Sequence, residues 1–258
     1  MTAPVTLILG LGRDVGIACA KHFNAEGHDV LVAAEGDKEI EKARSLLPDD
    51  VVMHHGDLDS HIGLRNVLTA AAESFGRHDN LIVIPPIPAP CCLDEMDMAA
   101  FDKSMAGGVR AGALAMSLFR TALKEQDPLE QETRGRPRQA GSITFILSLA
   151  AQLHNPGHFV EAVSQTSMLG IVRAGALELA EDRIRVNAIS AVRPRAEDSE
   201  AWLKTRTPLG RPSLADEIAD AAVYLASPAA AIITGETLTL DGGRSILGGT
   251  LRHGAQDG

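Results

Sequence analysis

The amino-acid sequence predicts a single α/β domain, a doubly wound parallel sheet with helices on both faces. Three observations predict it. Short apolar runs ended by Gly, Pro or Asp alternate with segments of helical period along nearly the whole chain. A chain of 258 residues with 45% hydrophobic content can bury a large core within one domain. No linker-like composition shift and no long-period repeat divides it. The domain is expected over residues 1–250, with 251–258 a tail.

The elements follow in order. Val5–Leu9 reads as a buried strand that enters a glycine turn, and Val15–Phe23 as a helix. Val30–Ala34 is a second strand, Lys38–Leu47 a charged amphipathic helix, and Val51–His55 a third strand. Gly63–Phe75 places Leu64, Val67, Leu68, Ala71 and Ala72 on one helical face. Leu81–Ile84 is a strand stopped by Pro85-Pro86, and Phe101–Leu123 a long helix rich in small residues. The polar stretch 124–140 reads as an exposed loop or insertion. Between Ser142 and Ser190 the pattern is strand, loop, long helix (Val160–Ala180), strand. Leu214–Ala226 is the last helix, and Leu238 and Leu240 mark the last strand before Asp241-Gly242-Gly243. The hexapeptide VRAGAL occurs at Val109–Leu114 and at Val172–Leu177, where two closely packed helices each need small residues.

Composition narrows the function classes. A net charge of −10 disfavours nucleic acid and anionic membranes, both polyanions. The basic groups at Arg134–Arg138 and at Arg193 and Arg195 are short and interrupted by proline, as solvated loops are. No apolar run is long enough to span a bilayer, and no basic region followed by an apolar stretch opens the chain. Cys19, Cys91 and Cys92 lack CxxC spacing, and a reducing cytoplasm is the expected location. No metal site is expected: His54, His55, Asp57 and His61 come nearest to one and read as a surface strand end.

The first chemistry-bearing motif is Gly10-Leu11-Gly12-Arg13-Asp14-Val15-Gly16. Glycines between a strand and a helix let backbone N–H groups approach a pyrophosphate at the helix N-terminus. The spacing is GxGxxxG, and any tight strand-to-helix turn selects glycine, so the motif alone is unspecific. Glu35, after the second strand, is placed to accept hydrogen bonds from an adenosine ribose and to repel a 2′-phosphate, which favours NAD(H) over NADP(H). Asp57, with Leu58 beside it, follows the third strand and is expected near the adenine. Gly10, Gly12, Arg13, Val15, Gly16, Glu35, Asp57 and Leu58 are the candidate cofactor contacts.

The order of these landmarks resembles the short-chain dehydrogenase/reductase family, of Rossmann-like fold, over nearly the whole length. The matching pieces are Gly10…Gly16, Gly56-Asp57, Phe75–Val83, Gly141–Ala150, Leu169–Ser190, Pro208–Pro212, Glu217–Ser227 and Ile233–Gly243. The resemblance implies an NAD(P)-linked oxidoreductase. In that family a tyrosine exchanges a proton with the substrate oxygen, and a lysine four residues later lowers the tyrosine's pKa. A serine orients the substrate, and an asparagine on the preceding long helix supports a proton relay. Carried onto this chain, the serine is Ser148, whereas the tyrosine position is Glu161, the lysine position Gln165 and the asparagine position Gly108. Tyr224 is the only tyrosine, and no lysine lies between Lys124 and Lys204, so no change of register restores the pattern. A tyrosine near its ordinary pKa of about 10 holds a proton at neutral pH, whereas a glutamate at about 4.3 does not. Conventional carbonyl or alcohol hydride transfer is therefore expected to be absent or very weak.

Other positions depart from the family as well. Asp14 replaces the middle glycine, a repulsive choice near a pyrophosphate unless it turns outward, with Arg13 as the candidate compensating charge. Pro85-Pro86 removes backbone donors after the fourth strand. The substrate loop at 191–208 is short for a full lid, and Ala196 stands where a threonine would hold the carboxamide. Three readings stand. One is a homologue that binds a ligand or partner without catalysis. Another is a divergent oxidoreductase acting on an unknown small molecule through Glu161 and Ser148. The third is a non-redox enzyme with Glu161 as base and His154 or His158 nearby. The two long helices are apolar on more than one face, and the resemblance implies that they pack in a homodimer or homotetramer.

Overall fold

Strand β1 (Val5–Leu9) is buried at all five positions, and β6 (Ile184–Ala191) at all eight. Strands that bury both faces belong to a parallel sheet covered on both sides, and the computed structural model has that architecture. It describes residues 2–127, 139–192 and 200–250. The remaining strands are β2 (Asp29–Ala34), β3 (Val52–His55), β4 (Asn80–Val83), β5 (Gly141–Ser148) and β7 (Thr237–Leu240). They form one seven-stranded sheet in the order β3-β2-β1-β4-β5-β6-β7, with every pair parallel. The strand order reverses between β1 and β4, which opens a crevice beyond their C-terminal ends.

The helices are α1 (Val15–Ala25), α2 (Asp37–Arg44), α3 (His61–Phe75), α4 (Met98–Met105), α5 (Ala111–Lys124), α6 (Phe159–Glu178), α7 (Glu200–Arg206) and α8 (Ala215–Ala226). Alternate strand residues feed two separate cores. Ile8, Val32, Ile82, Ile146 and Ile189 pack with Ile17 and Phe23 of α1 and Ile218 and Leu225 of α8. Leu7, Leu81, Phe145 and Leu147 pack on the other face with Leu64 of α3, Phe119 of α5 and Met168 and Val172 of α6. Period-two alternation in a sheet sends neighbouring residues to opposite layers.

Two elements differ from the sequence expectation. The helix expected over Phe101–Leu123 begins earlier, at Met98, where the Asp97 carboxylate caps the N–H of Ala99. Its middle, Ala106–Arg110, is a π turn. Helical period does not reveal such a turn, because side-chain spacing changes by only one residue. Gly108 and Gly112 mark where this helix is pressed inward: a Cβ at Gly108 would lie 3.0 Å from Ser164 Oγ, and one at Gly112 would lie 2.8 Å from Met168 Cε. The second difference is α7 inside the stretch 191–208. Its Leu203 is buried in a satellite cluster with Leu149 and Val192.

Of the polar stretch 124–140, residues 128–138 lie outside the described residues, as do Arg193, Arg195, Ala196 and the tail 251–258. No helix among the described residues is long and apolar enough to cross a membrane.

Candidate functional site

Strand β5 delivers Ser148 to the C-terminal edge of the sheet, where it pairs with Ala191 of β6. A short 3-10 turn (Leu149–Ala151) and a loop then lead into α6. This path folds the chain back so that α6 presents Glu161 and Gln165, one turn apart, to Ser148. Ser148 Oγ donates to Glu161 Oε1 at 2.7 Å, and Ser148 N donates to Gln165 Oε1 at 2.9 Å. Glu161 is 2% exposed and Gln165 fully buried. Ser190 Oγ of β6 donates to the Ser148 carbonyl at 3.4 Å.

His158, just before α6, places Nδ1 3.6 Å from Glu161 Oε2. His154 turns away and bonds the Ala150 carbonyl at 3.0 Å, so of the two candidate histidines only His158 joins the carboxylate. Glu161 also lies in the first turn of α6, where the positive end of the helix dipole favours a carboxylate. A strap from the segment after β4 closes this corner. Cys91 N donates to the Gly157 carbonyl at 2.8 Å, and Phe159 N donates to the Cys91 carbonyl at 3.1 Å. Such backbone docking leaves no signature in side-chain pattern.

Gly108, where the sequence resemblance places the family's asparagine, sits in the π turn facing Ser164. Ser164 Oγ and Gln165 Nε2 are buried and have no hydrogen-bond partner among the described residues. The orphaned Gln165 donor is the more informative, since a buried N–H without an acceptor costs about 1–3 kcal/mol. It suits a ligand that supplies an oxygen acceptor.

The glycine turn between β1 and α1 lies at the sheet's crossover. Gly10 has φ +91°, and a Cβ there would lie 2.5 Å from the Ile84 carbonyl oxygen. Only glycine lets this backbone pass so close to the end of β4. Gly16 N donates to Leu11 O at 2.8 Å and closes the turn, Gly12 has φ +50° and Val15 begins α1. Arg13 adopts φ +65°, an uncommon conformation for a side chain with a Cβ. Asp14 does turn outward: its carboxylate meets Lys42 of α2 at 3.4 Å, with both groups largely exposed. Lys42 thus stands beside Asp14 as a compensating charge that the sequence expectation, which named Arg13, did not include. Two remote helices meet there, which adjacency in sequence does not reveal. Pro85 is buried directly after Ile84, where it offers no N–H to the crevice.

Glu35 Oε1 accepts from Leu58 N at 3.0 Å, so the acid after β2 is latched to the loop after β3. His55 Nε2 lies 2.6 Å from the Glu35 carbonyl oxygen. Asp57 accepts from Asp59 N at 2.8 Å, and this backbone N–H with the Ser60 hydroxyl holds its carboxyl below the usual range. The Asp57 side chain is thus engaged with its own loop. Asp59 is displaced upward, first by burial and then by Glu35 and Asp57. Among the described residues, no group of three His, Cys, Asp or Glu side chains is arranged to hold a metal ion.

Comparison with known proteins gives concordant matches. A family model described as enoyl-(acyl carrier protein) reductase matches residues 10–245. The chain is 30% identical to a short-chain dehydrogenase of Pyricularia oryzae, over 90% of this chain and 93% of that one. It is 29% identical to D-threitol dehydrogenase of Mycolicibacterium smegmatis, over 94% and 93% of the two chains. Among solved structures it resembles a 3-ketoacyl-(acyl-carrier-protein) reductase from Brucella melitensis complexed with NADH. The TM-score is 0.83 and the identity 25%, covering 95% of this chain and 99% of that one.

Proposed function

This chain belongs to the short-chain dehydrogenase/reductase family, and from that premise we propose a nicotinamide-linked oxidoreductase of altered chemistry. Its buried Glu161–Ser148 pair stands where relatives are expected to carry a tyrosine and its serine. The observation that carries this reading is the 2.7 Å bond from Ser148 Oγ to Glu161 Oε1, with Gln165 Oε1 on the Ser148 N–H. The serine hydroxyl is committed to a carboxylate, and the amide at the lysine position brings no positive charge. An oxyanion developing on a carbonyl substrate would face a carboxylate here. A general acid contributes roughly 10²–10⁴-fold and an oxyanion donor roughly 10²–10³-fold, so conventional carbonyl or alcohol turnover falls by orders of magnitude.

The residues fit a dinucleotide. The orphaned Gln165 Nε2 can donate to a ribose hydroxyl, which needs a donor and no charge. The turn from Gly10 through Gly12, Arg13 and Val15 to Gly16 leads into the N-terminus of α1, whose backbone N–H groups suit a pyrophosphate, with the Asp14 carboxylate directed to Lys42. Glu35 reaches adenosine hydroxyls by exchanging its bond to Leu58 N, with Asp57 close by, and its charge favours NAD(H) over NADP(H). Bound nicotinamide supplies a hydride donor or acceptor.

Calorimetric titration with NADH and NADPH, paired with turnover of simple ketones, tests the proposal. NADH is expected to bind, and ketone turnover to be at least about 10²-fold below that of a Glu161→Tyr/Gln165→Lys variant. Efficient ketone reduction by the natural chain, or no heat from either cofactor at millimolar concentration, overturns it.

The proposal extends to a homodimer or homotetramer in the cytoplasm. The outer face of α6 supports assembly: Gly170, Arg173 and Ala174 are exposed there, and Leu177 is 80% exposed. A single monomeric species in sedimentation at micromolar concentration counts against it.

A further inference from the structure

Two adjacent cysteines stand where the chain straps down the start of α6. Cys92 is exposed and Cys91 half-buried, and both are free thiols. Cys91 pairs with His158 in an isolated parallel bridge. Its N–H donates to the Gly157 carbonyl at 2.8 Å, and its carbonyl accepts from Phe159 N at 3.1 Å. Cys91 Sγ donates to the Cys92 carbonyl at 3.3 Å, and a Cβ at Gly157 would lie 3.8 Å from Cys92 Sγ. Both sulfurs therefore flank the same short contact. Phe159 opens α6, and Glu161 follows within its first turn.

We propose that Cys91 and Cys92 are a modification site, a thiol pair that small disulfides oxidise reversibly and whose closure releases the start of α6. The exposed Cys92 thiolate attacks one sulfur of the small disulfide and expels a thiolate, which leaves a mixed disulfide. The neighbouring Cys91 thiolate then attacks the Cys92 sulfur and expels the second thiolate. The two protein thiols lose two electrons and two protons, which convert one small disulfide into two thiols. Because the cysteines are adjacent, the ring that closes contains their own peptide group. Consecutive Cα atoms across a trans peptide lie about 3.8 Å apart, whereas a relaxed disulfide spans roughly 4.4–6.8 Å. The Cys91–Cys92 peptide must turn to fit. Its carbonyl is the acceptor of the Phe159 N–H, so ring closure and the strap compete for one peptide group. Cys19, fully buried in the core, takes no part. Exposed, ill-fitting disulfides are easily reduced, and disulfides of reducing compartments usually serve such transient roles.

The test treats the full reduced chain with millimolar oxidised glutathione and follows peptide masses and amide hydrogen exchange. The peptide carrying Cys91 and Cys92 is expected to lose two hydrogens, Cys19 to stay a thiol, and dithiothreitol to reverse the change. Exchange of the amides over 157–162 is expected to quicken by about tenfold, as the loss of one hydrogen bond implies. Cys92→Ser, at an exposed position, is expected to keep the slow exchange in the same oxidant. Cys91→Ser, which also cannot close the ring, is expected to match it. A glutathione adduct that persists on Cys92 beside a free Cys91, a disulfide between two chains, or no oxidation of the pair overturns the proposal. So does a closed disulfide with unchanged exchange over 157–162, or quickened exchange in the oxidant-treated serine variants.

Discussion

Ser148 and Glu161 are thirteen residues apart, yet the serine hydroxyl donates to the carboxylate across 2.7 Å of buried space. The pair is a joint between β5 and α6 as well as a candidate reaction site. Ser148→Ala removes this buried, charge-assisted hydrogen bond. The expected loss is about 1–3 kcal/mol of unfolding free energy, read from urea denaturation. Unchanged stability would mean that another donor replaces the hydroxyl.

Gly10 tests the crossover turn. Gly10→Ala puts a Cβ 2.5 Å from the Ile84 carbonyl oxygen at φ +91°. Both clash and backbone strain act there, with an expected cost of at least about 2 kcal/mol. NADH affinity should fall with it, since the turn would have to open. A variant of natural melting temperature and natural NADH affinity counts against this account.

Gly108→Ala probes the contact of the π turn with α6. The added Cβ would lie 3.0 Å from Ser164 Oγ, close enough that the neighbour must yield. A cost of roughly 1 kcal/mol is expected, and Ser164→Ala in the same chain should recover most of it. Simple additivity of the two substitutions in a double-mutant cycle would rule out direct contact.

Acid sensitivity has a source far from the site. His28, bonded through Nδ1 to Thr6 Oγ1 at 2.8 Å, is lowered from 6.5 to about 4 by burial, against a smaller opposing pull from Asp79. Its folded pKa lies below its unfolded one, so the unfolded chain binds the extra proton between pH 6.5 and about 4. Stability is therefore complete above pH 6.5 and is lost as pH falls toward 4. The contribution is roughly 1–3 kcal/mol, reduced by the partial exposure of the ring. Urea midpoints at pH 7 and pH 5 measure it, and His28→Gln should flatten that part of the profile.

Glu35 governs the cofactor expectation. Glu35→Ser removes the carboxylate now bonded to Leu58 N and lifts repulsion of a 2′-phosphate. The ratio of NADPH to NADH affinity should rise by at least about tenfold. An unmoved ratio would place discrimination elsewhere.

The sequence by itself determined the sheet, its parallel sense and the helices on both faces, because buried strands and amphipathic helices carry their period in residue type. It also carries the expectation of an atypical site. The absence of a second tyrosine and of any lysine between Lys124 and Lys204 is a fact of composition that no folding changes. The tertiary structure decided what pairs with what. Asp14 meets Lys42, Glu35 is latched to Leu58 N, His158 lies beside Glu161 while His154 bonds the Ala150 carbonyl, and Cys91 straps the start of α6. Such contacts join residues from separate elements through short-range forces. Local periodicity holds no record of them, and only the packed sheet brings the partners within bonding distance.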